Sequence, residues 1–161
     1  MNKYRHEIKW GLIFIVMMLL WMVLERLLGW HDEHIDKHAT YTNFVAIPAI
    51  LVFVLAMFEK RKELGGYMTF KQGFISGLII TAVVTLFTPL VQWITSTVIT
   101  PEYFTNAINH AVESGLKSQE EAEGYFNLQN YLIQSTIGSP IMGLITSAIT
   151  ALIAMRRNKS A

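Results

Sequence analysis

The sequence predicts an all-α protein, a four-helix transmembrane bundle with an amphipathic outer helix between the third and fourth spans. Three observations favour this fold class. The 161 residues are 52% hydrophobic and only 16% charged, which is richer in apolar side chains than a soluble domain usually is. Four apolar runs are each long enough to cross a bilayer. The lysines and arginines lie mainly on one side of those runs, as in multi-pass membrane proteins.

The four spans belong to one predicted membrane domain, residues 1–161. Buried helices of a soluble bundle would need a polar face, and runs such as WGLIFIVMMLLWMVL have none. The first run has a basic start, but it continues into Glu25 and Arg26 without a small-residue cleavage site, so we interpret it as a retained anchor. The predicted spans cover about 8–28, 41–58, 74–99 and 131–155.

The distribution of basic residues predicts the orientation of the chain. Of the 13 lysines and arginines, three lie at the start of the first span, four between the second and third spans, and three after the fourth. Because positive residues are retained in the cytoplasm, we expect both termini and the loop of residues 59–73 to be cytoplasmic. The last three basic residues in this count are Arg156, Arg157 and Lys159.

Two capping boxes mark helix starts. Thr69 with Gln72 is expected to open the third span, and Ser118 with Glu121 is expected to open a helix before the fourth. We expect this second helix to run unbroken through Tyr125 and Phe126 into the fourth span.

The outer loop after the third span is expected to contain an amphipathic helix over residues 101–114. Thr100 is a candidate N-cap, and Pro101 suits the first helical position. The apolar side chains then fall on one stripe, which predicts a helix lying on the membrane surface or across the mouth of the bundle. This stripe contains Tyr103, Phe104, Ala107, Ile108, Ala111 and Val112.

Three strings resemble those of a known family. They are Gly-Trp-His-Asp at 29–32, GGYMTFKQGFISG at 65–77 and Ile-Thr-Pro-Glu-Tyr-Phe at 99–104. With these strings the chain resembles, over nearly its whole length, the small bacterial membrane proteins of domain of unknown function 4199. The resemblance implies a bacterial inner-membrane location and a four-span layout. It implies no activity and supplies no catalytic residues.

The loop after the first span is a candidate metal site. If it is helical, His31, His34 and His38 share one face, where they could bind a divalent metal, with zinc as the leading candidate and Asp32 close enough to complete the site. The alternative is a solvated link whose histidines are ordinary interfacial polar groups, and a pH-sensing role for the same histidines is also open.

The outer halves of the spans predict a second candidate site. Pro48, Pro89 and Pro140 lie at similar depths, and most of the intramembrane polar groups lie near them. One hypothesis is an outward-facing vestibule; the alternative is that hydroxyls satisfy carbonyls freed by the prolines and that amides bond between helices. The expected lining is Asn43, Thr88, Gln92 and Ser139.

Small residues at four-residue spacing predict close helix packing, because lipid gives helices no hydrophobic reason to associate. Such ladders lie on the third and fourth spans, and we favour their pairing within one chain over pairing between two copies. The residues expected at this contact include Gly73, Gly77, Gly143 and Ser147.

The sequence constrains the function class more than the function. With a net charge of +1 and no basic patch, the chain lacks the usual features of a nucleic-acid-binding protein, so we expect no nucleic-acid partner. No nucleophile lies beside a base in a known motif, so we expect no enzyme and, apart from zinc, no cofactor. A structural or interaction protein acting at the outer face is favoured, with the lipid bilayer and a homo-oligomer as expected partners. An oligomeric small-solute transporter or channel is the alternative.

Overall fold

A computed structural model describes residues 3–157; Lys159, one of the basic residues behind the predicted orientation, lies outside the described residues. The described chain is helical almost throughout, and a 3₁₀ turn, Thr42–Val45, and a π turn, Thr95–Ile99, extend two of the helices. The α-helices are α1 (Arg5–Leu27), α2 (Ile35–Tyr41), α3 (Ala46–Glu63), α4 (Phe70–Ile94), α5 (Tyr103–Glu113), α6 (Gln119–Tyr125) and α7 (Leu128–Ala154).

Four helical segments are long and apolar enough to cross a membrane. They are α1, the continuous segment Ile35–Glu63, the segment Phe70–Ile99 and α7. Large apolar side chains point outward along them, as on Leu20, which is 64% exposed, and Leu86, which is 76% exposed. Such a surface is typical of contact with lipid rather than with water. The predicted all-α, four-span fold class is therefore confirmed.

The two ends of the bundle differ. We call the end that holds the starts of α1 and α4 and the ends of α3 and α7 the terminal end, and the end that holds α2, α5 and α6 the cap end. The hydrophobic core lies toward the terminal end, where Phe53, Met57 and Ile80 are almost fully buried. An antiparallel bridge joins Met68 to Arg156 through N···O distances of 3.1 and 2.9 Å and ties the loop before α4 to the end of α7.

Among the described helices, α4 and α7 have the most extensive contact with each other, and small residues make that contact possible. A Cβ atom added at Gly77 would lie 2.6 Å from the Ser147 Cβ, and one added at Gly73 would lie 3.2 Å from the Ala151 Cβ. Gly143 faces Thr81 in the same way. The predicted ladders thus face each other within one chain, where the two backbones approach too closely for larger side chains.

The structure has both capping boxes. The Thr69 hydroxyl accepts the Gln72 N–H at 3.3 Å, and the Ser118 hydroxyl accepts the Glu121 N–H at 3.3 Å. In return, the Glu121 carboxylate accepts the Ser118 N–H at 2.9 Å. This bond from the Ser118 backbone, together with the one from its hydroxyl, lowers the pKa of Glu121.

The amphipathic helix begins later than its sequence signals indicate. Its first residue is Tyr103, because the Thr100 hydroxyl donates to the Thr95 carbonyl at 3.1 Å instead of capping the new helix. Its apolar stripe faces inward, with Ala107 and Ala111 buried.

The expectation of an unbroken helix from Ser118 into the fourth span was wrong. The chain leaves the helical conformation at Phe126 and Asn127, and the Asn127 side chain then accepts the Asn130 N–H at 2.8 Å. Asn127 therefore acts as a separate N-cap, which starts α7 independently of α6.

Candidate functional site

A cavity of about 500 Å³ lies between the four spans, in the half of the bundle toward the cap end. Each span contributes to its wall, and most of the wall is apolar, including Phe14, Met18 and Phe53. The polar part of the wall consists of eight uncharged residues. They are Thr42, Asn43, Thr81, Thr88, Gln92, Ser135, Ser139 and Thr146.

All four residues of the predicted vestibule line this cavity. Their hydrogen bonds differ from those that the alternative interpretation required. The Asn43 amide donates to the Ala39 carbonyl at 2.9 Å, and the Gln92 amide donates to the Ser96 hydroxyl at 3.0 Å, so both amides bond within their own helical segment. Neither of these bonds uses the amide oxygen, which stays available as an acceptor.

The hydroxyl groups do not satisfy the carbonyls freed by proline. Pro89 removes the N–H that would have bonded to the Thr85 carbonyl, yet the Thr88 hydroxyl donates to the Val84 carbonyl at 3.0 Å. The Ser139 hydroxyl instead donates across to the Thr85 hydroxyl at 3.2 Å and joins α7 to α4. Neither of these two cavity hydroxyls therefore satisfies the Thr85 carbonyl that Pro89 leaves without its helical partner.

A second polar cluster lies at the cap end, around Glu25. This carboxylate is fully buried, and its Oε2 atom lies 2.9 Å from the His31 Nε2 and 3.5 Å from the His38 Nε2. The Trp21 indole N–H donates to its Oε1 atom at 2.5 Å. Gly29, with φ of 71°, provides the turn that returns the chain from α1, so that His31 can reach Glu25 in the last turn of that helix.

The predicted histidine trio is only partly brought together. The loop is a series of turns that becomes helical at Ile35, so His31, His34 and His38 do not share one continuous helical face. His34 and Asp32 are exposed, whereas His31 is 5% exposed. The third member of the cluster is Glu25, and the ligand atoms of Glu25, His31 and His38 all lie within 4.8 Å of one another.

Tyr103 of α5 and Tyr131 of α7 cover the cluster around Glu25 at the cap end. The Tyr103 hydroxyl lies 3.4 Å from the His38 Nδ1 and 3.1 Å from the Tyr131 hydroxyl, and the Asn106 amide donates to the His31 carbonyl at 2.9 Å. Burial raises the pKa of the Tyr103 phenol far above its ordinary value, so this group is protonated at neutral pH. The amphipathic helix therefore holds both histidines in place.

Glu25 and Arg26, which are neighbours at the end of the first span, have separate roles. Glu25 turns into the bundle, while the Arg26 guanidinium donates to the Ile99 carbonyl at the end of the π turn. Arg26 thus binds an exposed carbonyl at the end of the third span, where helices leave such groups without partners.

A polar network at the terminal end has no counterpart in the sequence-based predictions. Glu7, which is 2% exposed, accepts a hydrogen bond from the Ser76 hydroxyl at 2.8 Å and pairs with the Lys60 ammonium at 2.8 Å. Beside it, the His6 Nδ1 lies 3.2 Å from a Glu63 carboxylate oxygen. The terminal end of the bundle is therefore closed by polar and charged groups that join α1 to α3 and α4.

Comparison with known proteins adds the family. No curated protein and no solved structure gave a significant match. Residues 9–156, nearly the whole chain, match the family described as "Protein of unknown function (DUF4199)". The chain is therefore a member of the DUF4199 family.

Proposed function

We propose that this protein binds a small, uncharged, largely apolar molecule in the cavity between its four spans. The observation that carries the proposal is the cavity itself. Its volume of about 500 Å³ and its apolar wall with a few polar groups are typical of sites for small organic ligands. The sequence favours a structural or interaction protein. A molecule bound in this cavity would be the ligand to which such a protein responds.

The wall of the cavity selects for an uncharged ligand. None of the residues that line it is charged, and a charged group moved into such a site would lose its hydration without gaining a partner. Neutral hydrogen-bonding groups are available at the cap side, where the amide oxygens of Asn43 and Gln92 could accept a hydroxyl or amide proton. An alcohol or a similar amphiphile therefore matches the site better than an acid or an amine.

The cavity supports binding rather than conduction by a single chain. Phe53 lines it and also belongs to the core cluster with Met57 and Ile80, so the packed core closes the cavity toward the terminal end. Its wall offers hydroxyls and amides but no base beside a nucleophile. We accordingly propose a binding protein and not an enzyme, and a transporter would require several copies of the chain.

The probe 1-octanol tests this function by protecting a cysteine placed in the cavity. The chain has no cysteine of its own, so Ser139→Cys provides a single reporter in the wall. In lipid nanodiscs, 1-octanol should slow the alkylation of this variant by N-ethylmaleimide several-fold, whereas octanoate, which is charged, should have little effect. Adding Gly138→Phe should remove the octanol effect, because Gly138 lines the cavity and a Cβ there meets nothing within 4 Å.

Two further reporters serve as controls. Gly124→Cys, at a position of α6 where a Cβ also meets nothing within 4 Å, should react at a rate that octanol does not change. Ile137→Cys, on the exposed surface of α7, should react slowly with or without octanol. Equal protection by octanol and octanoate, or alkylation of Ser139→Cys no faster than that of Ile137→Cys, would contradict the proposal.

We also propose that the chain lies in a bacterial inner membrane with both termini in the cytoplasm and the cap end outside. The support is the clustering of basic residues at the terminal end, which extends to Arg156 and Arg157. In intact spheroplasts, a membrane-impermeant maleimide should label Gly124→Cys and should label Arg157→Cys only after lysis. The opposite pattern would place the cap end in the cytoplasm.

A further inference from the structure

The residues Glu25, His31 and His38 meet beneath α5 although they come from two helices and the turn between them. Two imidazole nitrogens point at one carboxylate oxygen, at 2.9 and 3.5 Å. Glu25 is fully buried and the His31 side chain is 6% exposed, so water solvates neither group well. A carboxylate in this position needs a positive charge close by.

The described lysines and arginines do not supply that charge. Within the part of the chain that the structure describes, no lysine or arginine pairs with Glu25. The adjacent Arg26 is directed to the Ile99 carbonyl. A buried carboxylate whose neighbours are two histidines, one tryptophan N–H and the Thr42 hydroxyl is thus a negative site that a bound cation would neutralise.

The distances from the Glu25 Oε2 atom to the two imidazole nitrogens fit a small tetrahedral ion, and the two nitrogens lie within 4.8 Å of each other. Metal–ligand distances of about 2.0–2.1 Å in tetrahedral geometry place nitrogen and oxygen ligands roughly 3.3 Å apart, close to the observed 2.9 and 3.5 Å. Imidazole nitrogens favour zinc and its transition-metal neighbours over magnesium or calcium, which prefer oxygen. Two histidines and one glutamate with a free fourth position form a donor set that zinc accepts.

The surroundings of His38 match what such a ligand needs. A metal-bound histidine usually donates its other ring N–H to an oxygen that fixes the orientation of the ring. The Tyr103 hydroxyl lies 3.4 Å from the His38 Nδ1 and can accept this proton while it donates to the Tyr131 hydroxyl at 3.1 Å. Trp21 fixes the Glu25 carboxylate through its other oxygen.

We propose that Glu25, His31 and His38 bind one divalent transition-metal ion, zinc or an ion of similar preference, and that this ion fastens the turn after α1 beneath α5. Asp32 and His34, which the sequence pattern also suggested, are exposed and are not part of this site. The site adjoins the cavity between the spans, since Thr42 lines the cavity and contacts Glu25, but its three ligands are not part of the cavity wall.

Zinc titration of the chelator-treated, tag-free protein tests the site. Calorimetry should give one zinc ion per chain, and cobalt(II) should produce the visible absorption of a four-coordinate ion. His38→Gln should weaken zinc binding by more than about 100-fold. Removing a residue that only hydrogen-bonds to a metal ligand usually has a smaller effect than this. The exposed His34→Ala serves as the matched control and should bind zinc as the wild type does.

Two additional variants keep the result interpretable. His6→Gln alters a second group of possible ligands at the terminal end, formed by His6, Glu59 and Glu63, and should leave the high-affinity zinc unchanged. Glu25→Gln should lose zinc affinity. If this variant does not fold, His38→Gln alone decides the result, because the His38 side chain is 19% exposed and its replacement disturbs the fold less. Absence of stoichiometric binding by the wild type, or binding that survives His38→Gln or depends on His34 or His6, would overturn the proposal.

Discussion

The Gly143→Ala variant is expected to melt at a clearly lower temperature than the wild type, with a loss of about 1–3 kcal/mol in the free energy of unfolding. The added methyl group would overlap the Thr81 side chain, which is 6% exposed and is held by a hydrogen bond from its hydroxyl to the Gly77 carbonyl at 2.9 Å. Since this contact lies where α4 and α7 approach each other closely, the two helices would have to move apart to relieve it. Tryptophan fluorescence during heating in detergent measures the change.

Gly138→Ala is the matched control for this substitution. Gly138 lies on the same helix, but a Cβ there meets nothing within 4 Å. Because alanine is a better helix former than glycine, this control should melt at or slightly above the wild-type temperature. If the two variants melt alike, the close contact between α4 and α7 is not what holds the bundle together.

Glu25→Ala is expected to have the largest effect of any single substitution, a destabilisation of about 3–5 kcal/mol measured in the presence of a chelator. The carboxylate accepts the Trp21 N–H and bonds to His31 and lies beside His38, so its removal leaves buried nitrogens without an acceptor. Thermal melting with and without EDTA separates this structural loss from any contribution of a bound ion.

The control for Glu25 lies on the same loop. Glu33 is exposed, and Glu33→Ala should change the free energy of unfolding by less than about 0.5 kcal/mol. Equal melting of Glu25→Ala and Glu33→Ala would mean that the buried carboxylate contributes nothing to the fold, and the structure around α5 would then need another explanation.

The features that follow from periodicity could be predicted from the sequence. Spans depend on the length of an apolar run, and the ladder of Gly77 and Gly143 depends on a four-residue spacing, so both are local properties of the chain. Asn43 and Gln92, polar residues that the sequence places in the outer halves of the spans, also line the cavity, although α3 and α4 continue through Pro48 and Pro89.

The contacts made by chain reversals and tertiary packing could not be predicted in the same way. His31 reaches Glu25 only because the chain reverses at Gly29, whereas a helical extrapolation grouped His31 with the exposed His34. The pairing of Glu7 with Ser76 joins residues far apart in sequence. The one local sign of this pairing is an acidic residue, Glu7, just before an apolar run. A count of basic residues alone does not detect it.

The most direct test of the proposed function is to locate a bound probe in the cavity. Crystals of the protein grown in lipid and soaked in 8-bromo-1-octanol should show an anomalous bromine peak near Phe14 and Phe53, with the hydroxyl toward Asn43 and Gln92. In crystals of Gly138→Phe the peak should be absent. Bromine found only on the lipid-facing surface of the wild type, or unchanged by Gly138→Phe, would contradict a binding function for the cavity.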